Sequence, residues 1–75
     1  MKSMSQITRI QKDIRMFEEN KKHIPTSLTA SQKKIIELAE QYYQDAQYYV
    51  QKNDKFTAFG CINYAHGLLD AILKY

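Results

Sequence analysis

The spacing of apolar residues confines this chain to helices. From residue 7 to residue 72 the apolar side chains recur every three or four positions, which is the α-helical period, and no stretch shows the two-residue alternation of a strand. The pattern is interrupted twice, at Pro25 and at Asn53-Asp54. We therefore predict a single all-α domain with three helices, over about residues 4–23, 30–52 and 55–74.

The first predicted helix carries one apolar stripe. It ends before Pro25, because the residue that precedes a proline is disfavoured in the α region, and Ser3 or Ser5 can cap its start. The stripe consists of Ile7, Ile10, Ile14 and Phe17, which are spaced three, four and three residues apart.

The second and third predicted helices are joined by a very short turn. Thr29 and Gln32 have the spacing of a capping box, so the second helix should begin near Ala30. Asn53 tolerates the left-handed backbone that closes a helix, and Asp54 is a good N-cap for the next helix. A connection this short makes the two helices antiparallel neighbours. With the first helix packed alongside, this long antiparallel hairpin closes a three-helix bundle.

The third predicted helix is apolar on nearly all sides, which is typical of a helix that is buried on two faces. Two glycines, each about 1 kcal/mol less favourable than alanine inside a helix, lie on one of these faces, where a close neighbour would explain them. The stripe that we expect to face the second helix contains Ala58, Ile62, Ala65, Leu69 and Ile72. The other face, which we expect to meet the first helix or a second subunit, contains Phe56, Gly60, Tyr64, Gly67 and Ala71.

The hairpin also carries a dense motif. An aromatic pair precedes Asp-Ala, a turn with Lys and Asp follows, and then come Ala-Phe, Asn-Tyr-Ala-His-Gly and a second Asp-Ala. The motif resembles a small archaeal family known only as domain of unknown function 357, although Asn53 stands where that family usually has glycine. The resemblance implies an archaeal source and a short helical bundle, implies no reaction, and does not extend to residues 1–30. The matching residues are Tyr42, Tyr43, Asp45, Ala46, Lys52, Asp54, Ala58, Phe59, Asn63, Tyr64, Ala65, His66, Gly67, Asp70 and Ala71.

Composition narrows the possible functions. A chain of 75 residues has room for one small bundle and not for a bundle with a catalytic pocket, so we expect a protein that is not an enzyme and uses no cofactor. The start lacks the apolar segment of a signal peptide, and no apolar run approaches the roughly 20 residues of a membrane span. The single cysteine, Cys61, fits a reducing compartment. We therefore expect a cytoplasmic protein with no membrane partner.

Four polar residues interrupt the apolar hairpin. His66 and Asp70 are four positions apart on the third helix and are expected to form a hydrogen bond, and Asp45 should lie level with Asn63 across the hairpin. We favour a structural network that fixes the register of the helices. The alternative is a ligand or metal site that uses the same four residues, which we expect less.

Two surfaces are candidates for binding a partner. The glycine-containing face of the third helix, together with the outward-pointing Tyr48, favours self-association or the docking of a protein, because tyrosine is common at interfaces. The net charge of +3 comes entirely from the first 24 residues, so nucleic-acid binding through Arg9, Lys12 and Arg15 is the alternative function. A non-enzymatic interaction or assembly module is the leading hypothesis.

Overall fold

Three helices make up most of the computed structural model, which describes residues 6–74. α1 spans Gln6–Lys21, α2 spans Ala30–Gln51 and α3 spans Lys55–Lys74, and no strand occurs within the described residues. The helices pack on one another, so the predicted all-α bundle is confirmed. The predicted helix start near residue 4 and the proposed caps at Ser3 or Ser5 lie outside the described residues.

The limits of α2 and α3 are set by local hydrogen bonds. The Thr29 hydroxyl accepts the amide of Gln32 at 3.1 Å, and the Gln32 side chain accepts the amide of Thr29 at 2.9 Å, so the predicted capping box is confirmed. Asn53 has a φ of 59°, in the left-handed region that asparagine tolerates. Asp54 then accepts the amide of Thr57 at 3.2 Å as the N-cap of α3. This turn reverses the chain and makes α2 and α3 an antiparallel pair.

The core lies where α3 meets the other two helices. Every member of the predicted core stripe of α3 is at most 9% exposed, which confirms that part of the prediction. α2 contributes buried alanines, whose small side chains allow close packing against α3, whereas α1 contributes larger side chains. The core consists of Ile10, Ile14, Phe17, Ala39, Ala46, Ala58, Ile62, Ala65, Leu69 and Ile72.

α3 has a third side that neither neighbour covers. His66 contacts α1, and Cys61 lines a groove together with Tyr42 of α2. The helical period of 3.6 residues per turn places Gly60 and Gly67 between these two directions, and both residues are exposed. Of the two neighbours expected for this face, the first helix does not cover it. α1 packs beside this face, on the side of α3 that carries His66, because the apolar stripe of α1 is buried there.

Candidate functional site

The uncovered side of α3 exposes large apolar side chains to solvent. Phe56 is 90% exposed, and Tyr64 is 51% exposed. A Cβ atom built on either Gly60 or Gly67 would meet nothing within 4 Å, so both glycines border open space. Exposed apolar surface of this kind is a common mark of an interaction site. We name it the exposed α3 face, and it consists of Phe56, Gly60, Tyr64, Gly67 and Ala71.

Phe56 separates two grooves on this surface. The first groove runs along the α2 side, where the rings of Tyr42 and Tyr64 meet edge to face with their centroids 4.7 Å apart. Its lining residues are Tyr42, Phe56, Thr57, Gly60, Cys61 and Tyr64. The second groove, of about 220 Å³, lies between the N-terminal ends of α1 and α3. Its lining residues are Gln6, Arg9, Ile10, Lys55, Phe56 and Phe59.

Phe59 borders this surface, although it is not among the residues predicted for it. It is 45% exposed and lines the second groove beside Phe56. The available signal was its position three residues after Phe56, which places both rings on neighbouring parts of one helix face. The two phenylalanines therefore extend the exposed α3 face towards α1.

The polar residues of α3 are engaged differently from the prediction. His66 Nε2 lies 2.7 Å from the backbone oxygen of Asp13, and because that oxygen can only accept, the nitrogen donates. Asp70 instead approaches Lys74, with 3.8 Å between Oδ2 and Nζ. The predicted bond between His66 and Asp70 is therefore wrong. The half-buried imidazole turns towards α1, where a carbonyl and the edge of the Phe17 ring surround it, and it joins α3 to α1.

Asp45 does not join the other polar residues. Burial raises the pKa of the Cys61 thiol, and the negative charges of Asp45 and Asp54 raise it further. Asn63 is exposed and lines a groove on the α1 side, with Asp13 and His66 among its neighbours. The predicted pairing of Asp45 with Asn63 is therefore wrong, because Asn63 faces this groove and Asp45 does not line it. Within residues 6–74, no three His, Cys, Asp or Glu side chains are grouped so that they could hold a metal ion.

Tyr43 joins α2 to α1 through contacts that were not predicted. Its ring stacks on Phe17 with the centroids 4.8 Å apart, and its hydroxyl donates a hydrogen bond to Glu18. Burial and this bond to a carboxylate raise the pKa of Tyr43 to about 12. Lys21 lies over the same ring and pairs with Glu40 at 2.6 Å. No local spacing signals these contacts, because they join residues that are far apart in the sequence.

The basic candidates on α1 are exposed but are interspersed with acidic residues. Arg9 and Lys12 line one shallow groove together with Asp13, and Arg15 lines another together with Glu18. A nucleic-acid footprint is normally a patch of one sign. The arrangement is therefore closer to that of an ordinary solvated helix surface.

Tyr48, the remaining interface candidate, is 52% exposed on α2. Its ring meets the ring of Tyr49 edge to face, with the centroids 5.1 Å apart, and Lys52 Nζ lies 5.4 Å from its centre. These three side chains all belong to the C-terminal end of α2, and they are separate from the grooves that flank Phe56.

The comparison with protein families adds one firm assignment. Residues 12–75 match the family model described as protein of unknown function (DUF357). The chain belongs to the DUF357 family. The match confirms the resemblance seen in the hairpin and corrects its extent, because the family also takes in α1 from Lys12 onwards. No curated protein matches the chain.

The family match covers most of the contacts described above. The exposed α3 face, the bond between His66 and Asp13, and the stacking of Tyr43 on Phe17 all fall within residues 12–75 of this DUF357 chain, whereas Arg9 falls outside the match. Within residues 6–74, no helix is both long enough and apolar enough to cross a membrane.

Proposed function

We propose that this protein is a non-enzymatic interaction or assembly module that binds a protein through the exposed α3 face. The observation that carries the proposal is Phe56, which is 90% exposed on the same side of α3 as two glycines. Burying a phenylalanine side chain is worth about 1.5–3 kcal/mol, and each glycine costs the helix about 1 kcal/mol relative to alanine. A bound partner would recover the first quantity and would make use of the close approach that the glycines allow.

The polar side chains support the same proposal over catalysis. His66 is bound to a backbone oxygen of α1, and Asp70 approaches Lys74. The raised pKa of the Cys61 thiol keeps it protonated, whereas a nucleophilic cysteine needs a lowered pKa. A free thiol also fits a reducing cytoplasm, which we propose as the location. The resemblance in the hairpin supports an archaeal source.

Nucleic-acid binding through α1 is the alternative function, and it has less support. Its basis is that Arg9, Lys12 and Arg15 are all exposed, but Asp13 and Glu18 lie beside them. Retention of the protein on RNA or DNA at low salt, weakened by added salt and abolished by reversing the three charges to glutamate, would favour this alternative. Absence of retention at low salt would remove it.

In-cell photocrosslinking tests the interaction proposal directly. A photoreactive phenylalanine derivative is placed at Phe56, where the 90% exposed ring leaves room for it, and the matched control carries the same derivative at Gln44, which is exposed on α2. Both proteins are produced in the cells that make this protein and are irradiated. We expect one dominant protein adduct of defined mass at position 56 and none at position 44.

The outcomes of this experiment separate clearly. An adduct of any discrete mass that is specific to position 56 supports an interaction through the exposed α3 face. Equal, diffuse labelling at both positions would show that Phe56 meets no particular partner, and it would overturn the proposed function.

A further inference from the structure

We infer that the partner on the exposed α3 face is a second copy of this chain, which forms an antiparallel pair of α3 helices around a twofold axis between Asn63 and Tyr64. The inference rests on the proposed function and adds the identity of the partner and the geometry of the contact. It is carried by the order in which large and small residues follow one another along the face.

The exposed α3 face is complementary to the same face of a second copy that runs in the opposite direction. In an antiparallel pair centred between Asn63 and Tyr64, Phe56 lies level with Ala71 of the second copy, and Gly60 lies level with Gly67 of the second copy. Each exposed phenylalanine ring therefore meets a small side chain, and the two glycine levels let the backbones approach closely. A twofold interface uses the same patch on both subunits, so this self-complementarity is what such an interface requires.

A parallel pair lacks this fit. In that arrangement Phe56 meets Phe56 of the second copy, and Tyr64 meets Tyr64 of the second copy. The two phenylalanine rings would then face each other and hold the helices apart at that level. The two copies of Tyr64 lie close together in either arrangement, about 1.5 Å apart along the axis in the antiparallel pair, so the position of Phe56 is what favours the antiparallel pair.

The charges on this side of α3 are compatible with the antiparallel pair. Asp70 and Lys74 lie 3.8 Å apart on the same helix, so together they add no net charge to the surface. At a rise of about 1.5 Å per residue, the two copies of Asp70 are separated by roughly 20 Å along the axis, and the two copies of Lys74 by roughly 30 Å. Both distances exceed the screening length of about 8 Å at physiological salt, so like charges do not oppose the pair.

The exposed aromatic side chains supply part of the apolar area that a stable dimer needs. A stable interface buries about 1,000 Å² or more in total, and an aromatic side chain buries about 150–250 Å². Phe56 is 90% exposed and Tyr64 is 51% exposed, so these two residues from both copies supply several hundred Å². At the glycines, the backbones of the two α3 helices, each of 20 residues, add further contact. The exposed α3 face of a second copy can thus cover that of the first.

Sedimentation equilibrium of the full chain, from micromolar to millimolar concentration, tests the identity of the partner. We expect a reversible monomer–dimer equilibrium. Gly67→Arg places a charge in the contact while entering open space in the monomer, so the dimer dissociation constant should rise at least about tenfold. Gln44→Arg adds the same charge at an exposed site on α2 and should leave the constant within about twofold.

Disulfide trapping tests the direction of the helices. In a Cys61→Ala background, Gly60→Cys and Gly67→Cys chains are oxidised separately and as a mixture. The antiparallel pair brings position 60 level with position 67 of the second copy, whereas identical positions are separated by about 10 Å along the axis, beyond the reach of a disulfide. We expect covalent dimers in the mixture and not with either chain alone.

Three results would overturn the inference. They are a strict monomer at millimolar concentration, a dimer that Gly67→Arg and Phe56→Ser both leave intact while circular dichroism shows both variants folded, and self-crosslinking of Gly60→Cys alone. A strict monomer together with a specific adduct of another mass at position 56 would reject the second copy and keep the proposed function. Loss of the specific adduct would reject both.

Discussion

Two sides of α3 lack charged residues but have opposite surroundings. The core side presents Ile62 and Leu69, which are at most 1% exposed, whereas the exposed α3 face presents Phe56 at 90%. Both sides are apolar, so hydrophobicity alone does not separate them. The difference lies in the neighbouring helices. The apolar stripes of α1 and α2 both pack against the core side of α3, and the described part of the chain has no third apolar stripe to cover the exposed α3 face. Burial of an apolar helix side therefore depends on the neighbours that are available and not only on its own residues.

The largest expected difference in the free energy of unfolding is between truncating a residue on the core side of α3 and truncating one on the exposed α3 face. Ile62→Ala removes a fully buried side chain and should lower the free energy of unfolding by about 2–5 kcal/mol, because it leaves a cavity. Phe56→Ala removes a larger but exposed ring and should change the monomer by less than about 0.5 kcal/mol. Urea unfolding at low micromolar concentration measures both. Equal losses would show that the two sides are not different in the monomer.

Alanine at the two glycines of the exposed α3 face should stabilise the monomer. Gly60→Ala and Gly67→Ala each remove a flexible residue from the middle of a helix and place a methyl group in open space, so each should add up to about 1 kcal/mol. The double variant should add about 2 kcal/mol, since the sites share no contact. Thermal unfolding of dilute protein is the check. A destabilised single variant would mean that the monomer needs the glycine.

The contact between α1 and α3 is expected to receive a smaller contribution to stability from a polar side chain. His66→Ala removes the hydrogen bond to the Asp13 carbonyl, and it should cost about 1 kcal/mol. Asn63→Ala, three residues earlier at an exposed site, is the matched control and should stay within about 0.5 kcal/mol. Amide hydrogen exchange should report the loss of protection in α1 first. If both variants behave alike, the His66 bond does not hold α1 in place.

The last expected effect is a pH dependence that arises between α1 and α2. The pKa of Tyr43 is raised to about 12 from an ordinary value near 10, so the folded state favours the protonated hydroxyl. The resulting stabilisation is complete below pH 10 and is lost as the pH rises from 10 to 12, because the unfolded chain ionises first. The free energy of unfolding of the native chain should therefore exceed that of Tyr43→Phe by less as the pH rises through that range. Tyr48→Phe, at an exposed site, is the control.

Most of the fold could be predicted from local sequence. The capping box at Thr29, the left-handed Asn53 and the N-cap at Asp54 act through neighbours within a few residues, so their patterns are visible in the chain itself. The core stripe of α3 was also predictable, because the helical period fixes which side chains share a face. These signals determine the hairpin, and the size of the chain leaves a third helix to close the bundle.

The candidate site was predictable only in part. The residues of the exposed α3 face share one side of a helix, so the sequence identified the group, but it did not determine whether α1 would cover it. The polar residues were assigned wrongly for a related reason. His66 bonds across 53 positions to Asp13, and Tyr43 bonds across 25 positions to Glu18, while spacing within one helix suggested nearer partners.

The sequence by itself determined three helices, two sharp limits between them and a third helix that is apolar on two sides, because helical period and capping are properties of neighbouring residues. Only the tertiary structure decided which of those two sides is buried. α1 approaches α3 on the His66 flank, where Phe17 packs on Tyr43 and His66, and this placement leaves Phe56 and the two glycines in solvent. The choice depends on how three helix surfaces fit together, and no single helix contains that information.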